Sequence, residues 1–136
     1  MTKDFMFTSE SVTEGHPDKL CDQISDAIVD RFLQQDPNSS IIAECAVSTA
    51  IIFIAARFAS NASVDIPNVA RQVVHQVGYQ QSDFNSKTCS IVTSLKELPC
   101  NMDDCFDEKK LSEEEIERIP VRNQVTVFGF ACNQTP

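Results

Sequence analysis

FTSESVTEGHPDKLCDQISDAIVD, residues 7–30, joins a polar loop to an amphipathic helix, and the rest of the fold can be read outward from that junction. Leu20, Ile24, Ile28 and Phe32 recur at i+4 with Ala27 beside them, the stripe of a helix that lays one face on a core. Pro17 suits a first helical turn, so a helix is predicted from there to about Gln34, ended by Asp36-Pro37-Asn38-Ser39-Ser40. The loop ahead of it gathers Glu10, Glu14 and Asp18 with His16 and Lys19 around Gly15 and Pro17. Lys19 and a protonated His16 can stabilise phosphate oxygens, and Asp18 can ligate Mg2+, a hard cation that prefers oxygen. The helix start offers unpaired N–H groups to an anion. The same His-Pro-Asp is also an ordinary turn and helix start, so composition alone leaves both readings open.

Further along, Ile41–Thr49 reads as a strand and Ile51–Ala59 as a second, apolar throughout its first half. A hairpin joins them on this reading, although Ala50 stands where a tight turn favours glycine. A second helix is predicted with Asp65 as cap, Pro67 in its first turn, Val69, Val73 and Val77 as its buried stripe, and Gly78 as its stop. Thr88–Leu95 reads as a third strand and Gln124–Cys132 as a fourth. Helix, two strands, helix, two strands implies an α+β fold: a two-layer sandwich with helices packed on one face of a mostly antiparallel sheet. Residues 99–120 are strongly charged and carry no strand pattern; Ser112-Glu113-Glu114-Glu115 is a capping box opening a short helix that ends near Arg118. Composition alone makes that segment a solvated surface excursion.

A chain of 136 residues is long enough for one domain with a real core, taken here as residues 1–136. The formal charge of −9 argues against a nucleic-acid surface. Much of it is local, since eight carboxylates between Asp103 and Glu117 face only Lys109 and Lys110. Six cysteines lie scattered without a CxxC pair, the pattern of reduced thiols in a cytoplasmic protein rather than of a disulfide framework or a zinc site. No apolar run reaches the length of a membrane span, and the start MTKDFMF lacks the pattern of a secretory signal.

The run FTSESVTEGHPDK followed by LCDQISDAIVD resembles the opening of the S-adenosylmethionine synthetases (methionine adenosyltransferases). The similarity continues at Val64-Asp65-Ile66, Gly78-Tyr79, Ser82-Asp83, Lys87-Thr88-Cys89 and Phe128-Gly129-Phe130-Ala131. It implies one domain of the synthetase fold, within an ATP-dependent enzyme making S-adenosylmethionine from ATP and L-methionine and releasing phosphate and pyrophosphate. By position, His16 would be catalytic and contact the triphosphate, Lys19 would join it in binding ATP, Asp18 would hold Mg2+, and Glu44 would sit at a K+ site. The competing reading of Glu44 is an inter-strand salt bridge, because a buried strand carboxylate needs a partner. The resemblance further implies a mobile loop over residues 99–120 and a homodimer or homotetramer packed through sheet faces. Ile51-Ile52-Phe53-Ile54 belongs either to such a face or to the domain's own core.

The amino-acid side of the site departs from the family. Ala55-Ala56-Arg57 stands where the family has a Gly-Gly pair followed by a methionine-binding glutamate, so a cation replaces an acceptor for the substrate ammonium. A second methionine contact, a glutamine in the family, falls on Glu97, and Asn123 replaces an aspartate. Two readings follow. In the first, Glu97 takes the ammonium, Arg57 meets a carboxylate, and methionine binds in rearranged form. In the second, Arg57 pairs with Glu97 and plugs the pocket, and the protein is a non-catalytic partner or regulatory subunit of a true synthetase. Similar synthetases continue beyond residue 136 into two related domains carrying further ATP contacts, so this chain alone is expected to be inactive.

Overall fold

The structure, a computed structural model, describes residues 8, 11–99, 110–119, 131 and 133. It divides into two compact units, one formed by residues 12–105 and the other by residues 1–11 with 106–136.

In the larger unit, α1 spans Pro17–Gln35 with Leu20, Ile24, Ile28 and Phe32 as its buried stripe. Burying four such side chains contributes on the order of 2 kcal/mol each, so packing rather than propensity holds this helix. Asp36, restricted by Pro37 behind it, leaves the helical region at φ −141 while its N–H still donates to the Phe32 carbonyl. Its carboxylate then accepts from the Asn38 and Asn61 amides at 3.0 and 2.9 Å, tying the end of α1 to the chain beyond β2. Those bonds hold the Asp36 carboxyl below its ordinary value.

Strands β1 (Ser40–Ser48) and β2 (Ile51–Ala59) form the expected hairpin, antiparallel from Ser40↔Ala59 to Ser48↔Ile51. Without a glycine, the two-residue turn places Thr49 at φ 53, a strained value for a β-branched residue. Helix α2 (Ile66–Val77) follows, with the Asp65 carboxylate accepting from the Asn68 N–H at 3.1 Å and Gly78 ending it at φ 93. Strand β3 (Ser90–Glu97) lies two residues beyond the predicted span and pairs with β2 in parallel, giving the order β1-β2-β3. Parallel pairing requires a crossover, and α2 supplies it.

The fold is thus the α+β, two-layer arrangement, with both helices on one sheet face. Ile52, Ile54 and Ala56 of β2 meet the α1 stripe and Ile66, Val69, Ala70, Val73 and Val74 of α2; the Phe32 and Phe58 rings meet at 4.8 Å, tilted by 42°. The opposite face carries Glu44, Ala46, Phe53, Ala55, Arg57, Val92 and Lys96. The other unit is described mainly through α3 (Glu113–Glu117), where Ser112 and Glu115 form the reciprocal capping box expected from sequence. Within residues 99–120 only Pro99 and residues 110–119 are described, and the fourth strand at 124–132, apart from Ala131, lies outside the described residues, as does Asn123.

Candidate functional site

The loop before α1 is shaped by Gly15, whose φ of 90 turns the chain, and by the His16 N–H donating to the Thr13 carbonyl at 3.1 Å. His16 is the N-cap: its Nδ1 accepts from the Asp18 N–H at 3.2 Å. That bond fixes the tautomer, because an accepting Nδ1 puts the neutral ring's proton on Nε2, where it is free to donate. The Asp18 carboxylate also lies 3.9 Å from Nδ1, but an ion pair there needs a protonated Nδ1 and surrenders the cap. The two contacts are alternatives, and the shorter, directional one defines the state described.

The second helix steadies this loop from 64 residues away, where Tyr79, just past the Gly78 cap, donates its hydroxyl to the Gly15 carbonyl. Its ring stands edge-on to Phe84 at 4.8 Å, with an interplanar angle of 89°. Sequence reading placed Gly78 as the helix stop but caught Tyr79 only as part of a resemblance; the signal for the tyrosine's role is an aromatic directly after a left-handed cap.

His16 and Asp18 are 44% and 86% exposed, and Lys19 is exposed beside them, so all three sequence-derived residues occupy one solvent-facing turn. The helix end is less rich in donors than expected. Pro17 has no N–H, the His16 and Asp18 amides are already used, and among the described residues the Lys19 N–H is the first-turn donor without a partner. An anion here would meet His16 Nε2–H, the Lys19 amide and the Lys19 ammonium. A single open carboxylate such as Asp18 suits Mg2+ that keeps most of its waters and shares substrate phosphates. Among the described residues no group of three or more acidic, histidine or cysteine side chains gathers as a ready metal cage.

The second cluster lies on the outer sheet face. Glu44 pairs with Ala55, which pairs with Ser94; one row along, Arg57 pairs with Ile42 and Lys96. Paired residues share a face, so Glu44, Arg57 and Lys96 emerge together. Glu97 pairs with Phe58 and emerges on the helix side instead. The alternation therefore separates Arg57 from Glu97, and neither the shared pocket nor the plugging ion pair drawn from sequence fits this register. Glu44 is exposed, so the cost of burying it does not arise. Ala55 faces outward while Ala56 is buried, so of the two alanines only Ala55 presents its methyl group to this surface. A shallow depression of about 280 Å³ opens beside the row, lined by Glu44, Phe53, Ala55, Val92 and Ser94 among others.

On the inner face, Cys45 of β1 and Cys21 of α1 meet as free thiols. Burial, with the neighbouring Cys21 sulfur, pushes the Cys45 thiol up to about 12. No helix among the described residues is long and apolar enough to cross a membrane.

Residues 4–99 match the family described as S-adenosylmethionine synthetase, N-terminal domain. Full-length relatives are similar as well. The S-adenosylmethionine synthase of Gloeothece citriformis (strain PCC 7424) is 41% identical over 100% of this chain and 34% of its own length. That of Thermosynechococcus vestitus is 41% identical over 97% of the chain and 33% of its own length. The Clostridium botulinum (strain Alaska E43 / Type E3) synthase is 40% identical over 96% and 35%. The chain spans about a third of the length of these curated relatives. A capped, tyrosine-anchored His-Pro-Asp turn on an α+β sandwich, matched from residue 4 to 99, makes this chain a member of the S-adenosylmethionine synthetase family, corresponding to its N-terminal domain.

Proposed function

We propose that the chain is the N-terminal part of a methionine adenosyltransferase, which joins L-methionine to the adenosyl group of ATP and then cleaves the tripolyphosphate to pyrophosphate and phosphate. The observation that carries this reading is the state of His16: Nδ1 engaged by the helix and Nε2–H presented to solvent beside Lys19 and Asp18.

The chemistry asks little of an acid or base. The thioether sulfur bears no proton; its lone pair forms the bond to the 5′ carbon as the bond to the triphosphate oxygen breaks, leaving a sulfonium cation and tripolyphosphate. Catalysis rests on aligning sulfur, carbon and oxygen and on meeting the charge that grows on the leaving oxygen. His16 Nε2–H donates to that oxygen, and Lys19 holds the phosphates. Mg2+, held by Asp18, would neutralise phosphate charge when bound. Glu44 offers its carboxylate to a monovalent cation, with K+ the family's choice.

The outer face supports assembly as a homodimer or homotetramer, since Phe53 and Val92 are 45% and 50% exposed there with Ile51 beside them. Free thiols at Cys21, Cys45 and Cys89 favour a cytoplasmic setting. A partner role without chemistry is favoured by one observation, the cation pair Arg57–Lys96 on the face that departs from the family. The complete polypeptide, incubated with ATP, L-methionine, Mg2+ and K+, is expected to yield S-adenosylmethionine by mass spectrometry, with phosphate in the same tube. Absence of both products refutes the transferase reading.

A further inference from the structure

We propose that Cys21 and Cys45 form an oxidisable dithiol, a modification site at which a hydroperoxide joins the start of α1 to β1 through a disulfide. The site lies between the helix layer and the sheet, away from the outer face, and does not depend on the transferase reading.

Two different elements bring these sulfurs together. In β1, Cys45 pairs with Ile54, which is 2% exposed, so its side chain points to the helices. Arg31 marks the flank of α1 turned towards α2, where it donates to Gln72 Oε1 at 3.3 Å. Cys21 lies on the opposite flank of the buried stripe, over β1, on which α1 packs. The two thiols are close enough for one to donate to the other, and both are free and half-buried. That partial exposure admits an oxidant the size of hydrogen peroxide. Cys89 differs on both counts, being 1% exposed and held by Arg71 Nη1 at 3.5 Å.

Burial keeps the Cys45 thiol protonated, so Cys21 reacts first. Its sulfur attacks one peroxide oxygen and the O–O bond breaks, leaving a sulfenic acid and one water. The fold already holds the second sulfur beside it, which makes the next step intramolecular. Cys45 sulfur attacks the sulfenic sulfur; the S–S bond forms as the S–O bond breaks, and the Cys45 proton leaves with the hydroxide as a second water. The peroxide takes up two electrons and the two sulfurs supply them. Exchange with glutathione or another thiol returns the pair to its reduced state. The bridge encloses nearly all of α1 and the first half of β1. One end lies a single helical turn beyond Asp18 and the other adjoins Glu44. Oxidation therefore ties the base of the His16–Lys19 turn to the strand that carries Glu44, and suppresses the local opening by which a helix start frays.

The test treats the complete polypeptide with a few equivalents of hydrogen peroxide, blocks the remaining thiols by alkylation, and maps the tryptic peptides by mass spectrometry. Peptides 20–31 and 32–57 carry one cysteine each. They are expected as a linked pair, two hydrogens lighter than their sum and separated by reduction. In Cys45→Ala, dimedone is expected to capture the sulfenic acid on Cys21; in Cys21→Ala, Cys45 stays a thiol at the same dose. Forming the bridge is expected to slow hydrogen exchange at the Asp18 and Leu20 amides, which donate to His16 Nδ1 and the His16 carbonyl, at least about tenfold. Dithiothreitol should restore the faster exchange. The proposal is overturned if Cys21 and Cys45 stay reduced while other cysteines oxidise, or if Cys21 links to a different cysteine. It is equally overturned if mixing isotope-labelled and unlabelled protein shows the link to join two polypeptides, or if exchange at the start of α1 is unchanged once the bridge has formed.

Discussion

Replacing His16 by asparagine separates the two jobs that the structure gives this residue. As N-cap, His16 satisfies the Asp18 N–H. Asparagine ranks among the best N-caps, and its Oδ1 can accept the same bond. His16→Asn should therefore leave stability equal to the parent or slightly above it. His16→Ala removes the acceptor and should cost about 1 kcal/mol, lowering the melting temperature by about 4 °C. Activity follows a different rule. The asparagine amide falls short of the reach of Nε2, so both variants lose the donor to the leaving oxygen. Loss of one such donor lowers turnover by about 10²–10³-fold. Thermal melts of this chain and rates of S-adenosylmethionine formation in the complete polypeptide read the two effects independently. The reasoning is refuted if His16→Asn restores the rate to within about threefold of the parent, because His16 would then be a helix cap and nothing more.

Tyr79→Phe keeps the edge-on contact with Phe84 but removes the donor to the Gly15 carbonyl. A loss of about 1 kcal/mol is expected, with faster hydrogen exchange at the His16 and Asp18 amides and a raised KM for ATP; unchanged exchange would show that the loop stands without this tie. Thr49→Gly relieves a left-handed β-branched residue at φ 53, and after the entropy cost of glycine should stabilise by about 1 kcal/mol in denaturant titration. Cys45, pushed up to about 12, is almost wholly protonated at pH 8. Iodoacetamide should alkylate it roughly 10³-fold more slowly in the folded chain than in urea, as the thiolate is the nucleophile. The sign for stability follows: a raised thiol favours folding below the unfolded value near 9, and that contribution fades as pH climbs from 9 towards 12.

Much of the scaffold was legible because its signals are local. The stripe Leu20, Ile24, Ile28, Phe32 is fully buried, Asp65 and Gly78 cap α2 as their chemistry dictates, and Ser112 closes its box on Glu115. The first half of the candidate site could be grouped from sequence for the same reason, since His16, Asp18 and Lys19 are neighbours in the chain and share one exposed turn. The second half turns on register, which no single strand reveals. A strand presents successive residues to opposite faces, so whether Lys96 or Glu97 joins Arg57 depends on one step in the β2–β3 pairing. That pairing is parallel and crosses the α2 connection, with nothing in the β3 sequence to fix its alignment. The Tyr79–Gly15 tie and the Cys21–Cys45 contact bridge distant segments in the same way.

The central place of β2 also orders the assembly of the domain in time. Its contacts with β1 close over a two-residue turn, and such hairpins form in about 1–10 μs. Its contacts with β3 wait until residues 60–89 have been gathered, α2 included, and closing so long a loop delays them entropically. Glu44 and Arg57 are therefore brought onto one face early, on a strand pair still lacking Lys96. The cation pair becomes complete only when β3 docks, which makes the last row of the sheet to zip the row that carries the charge.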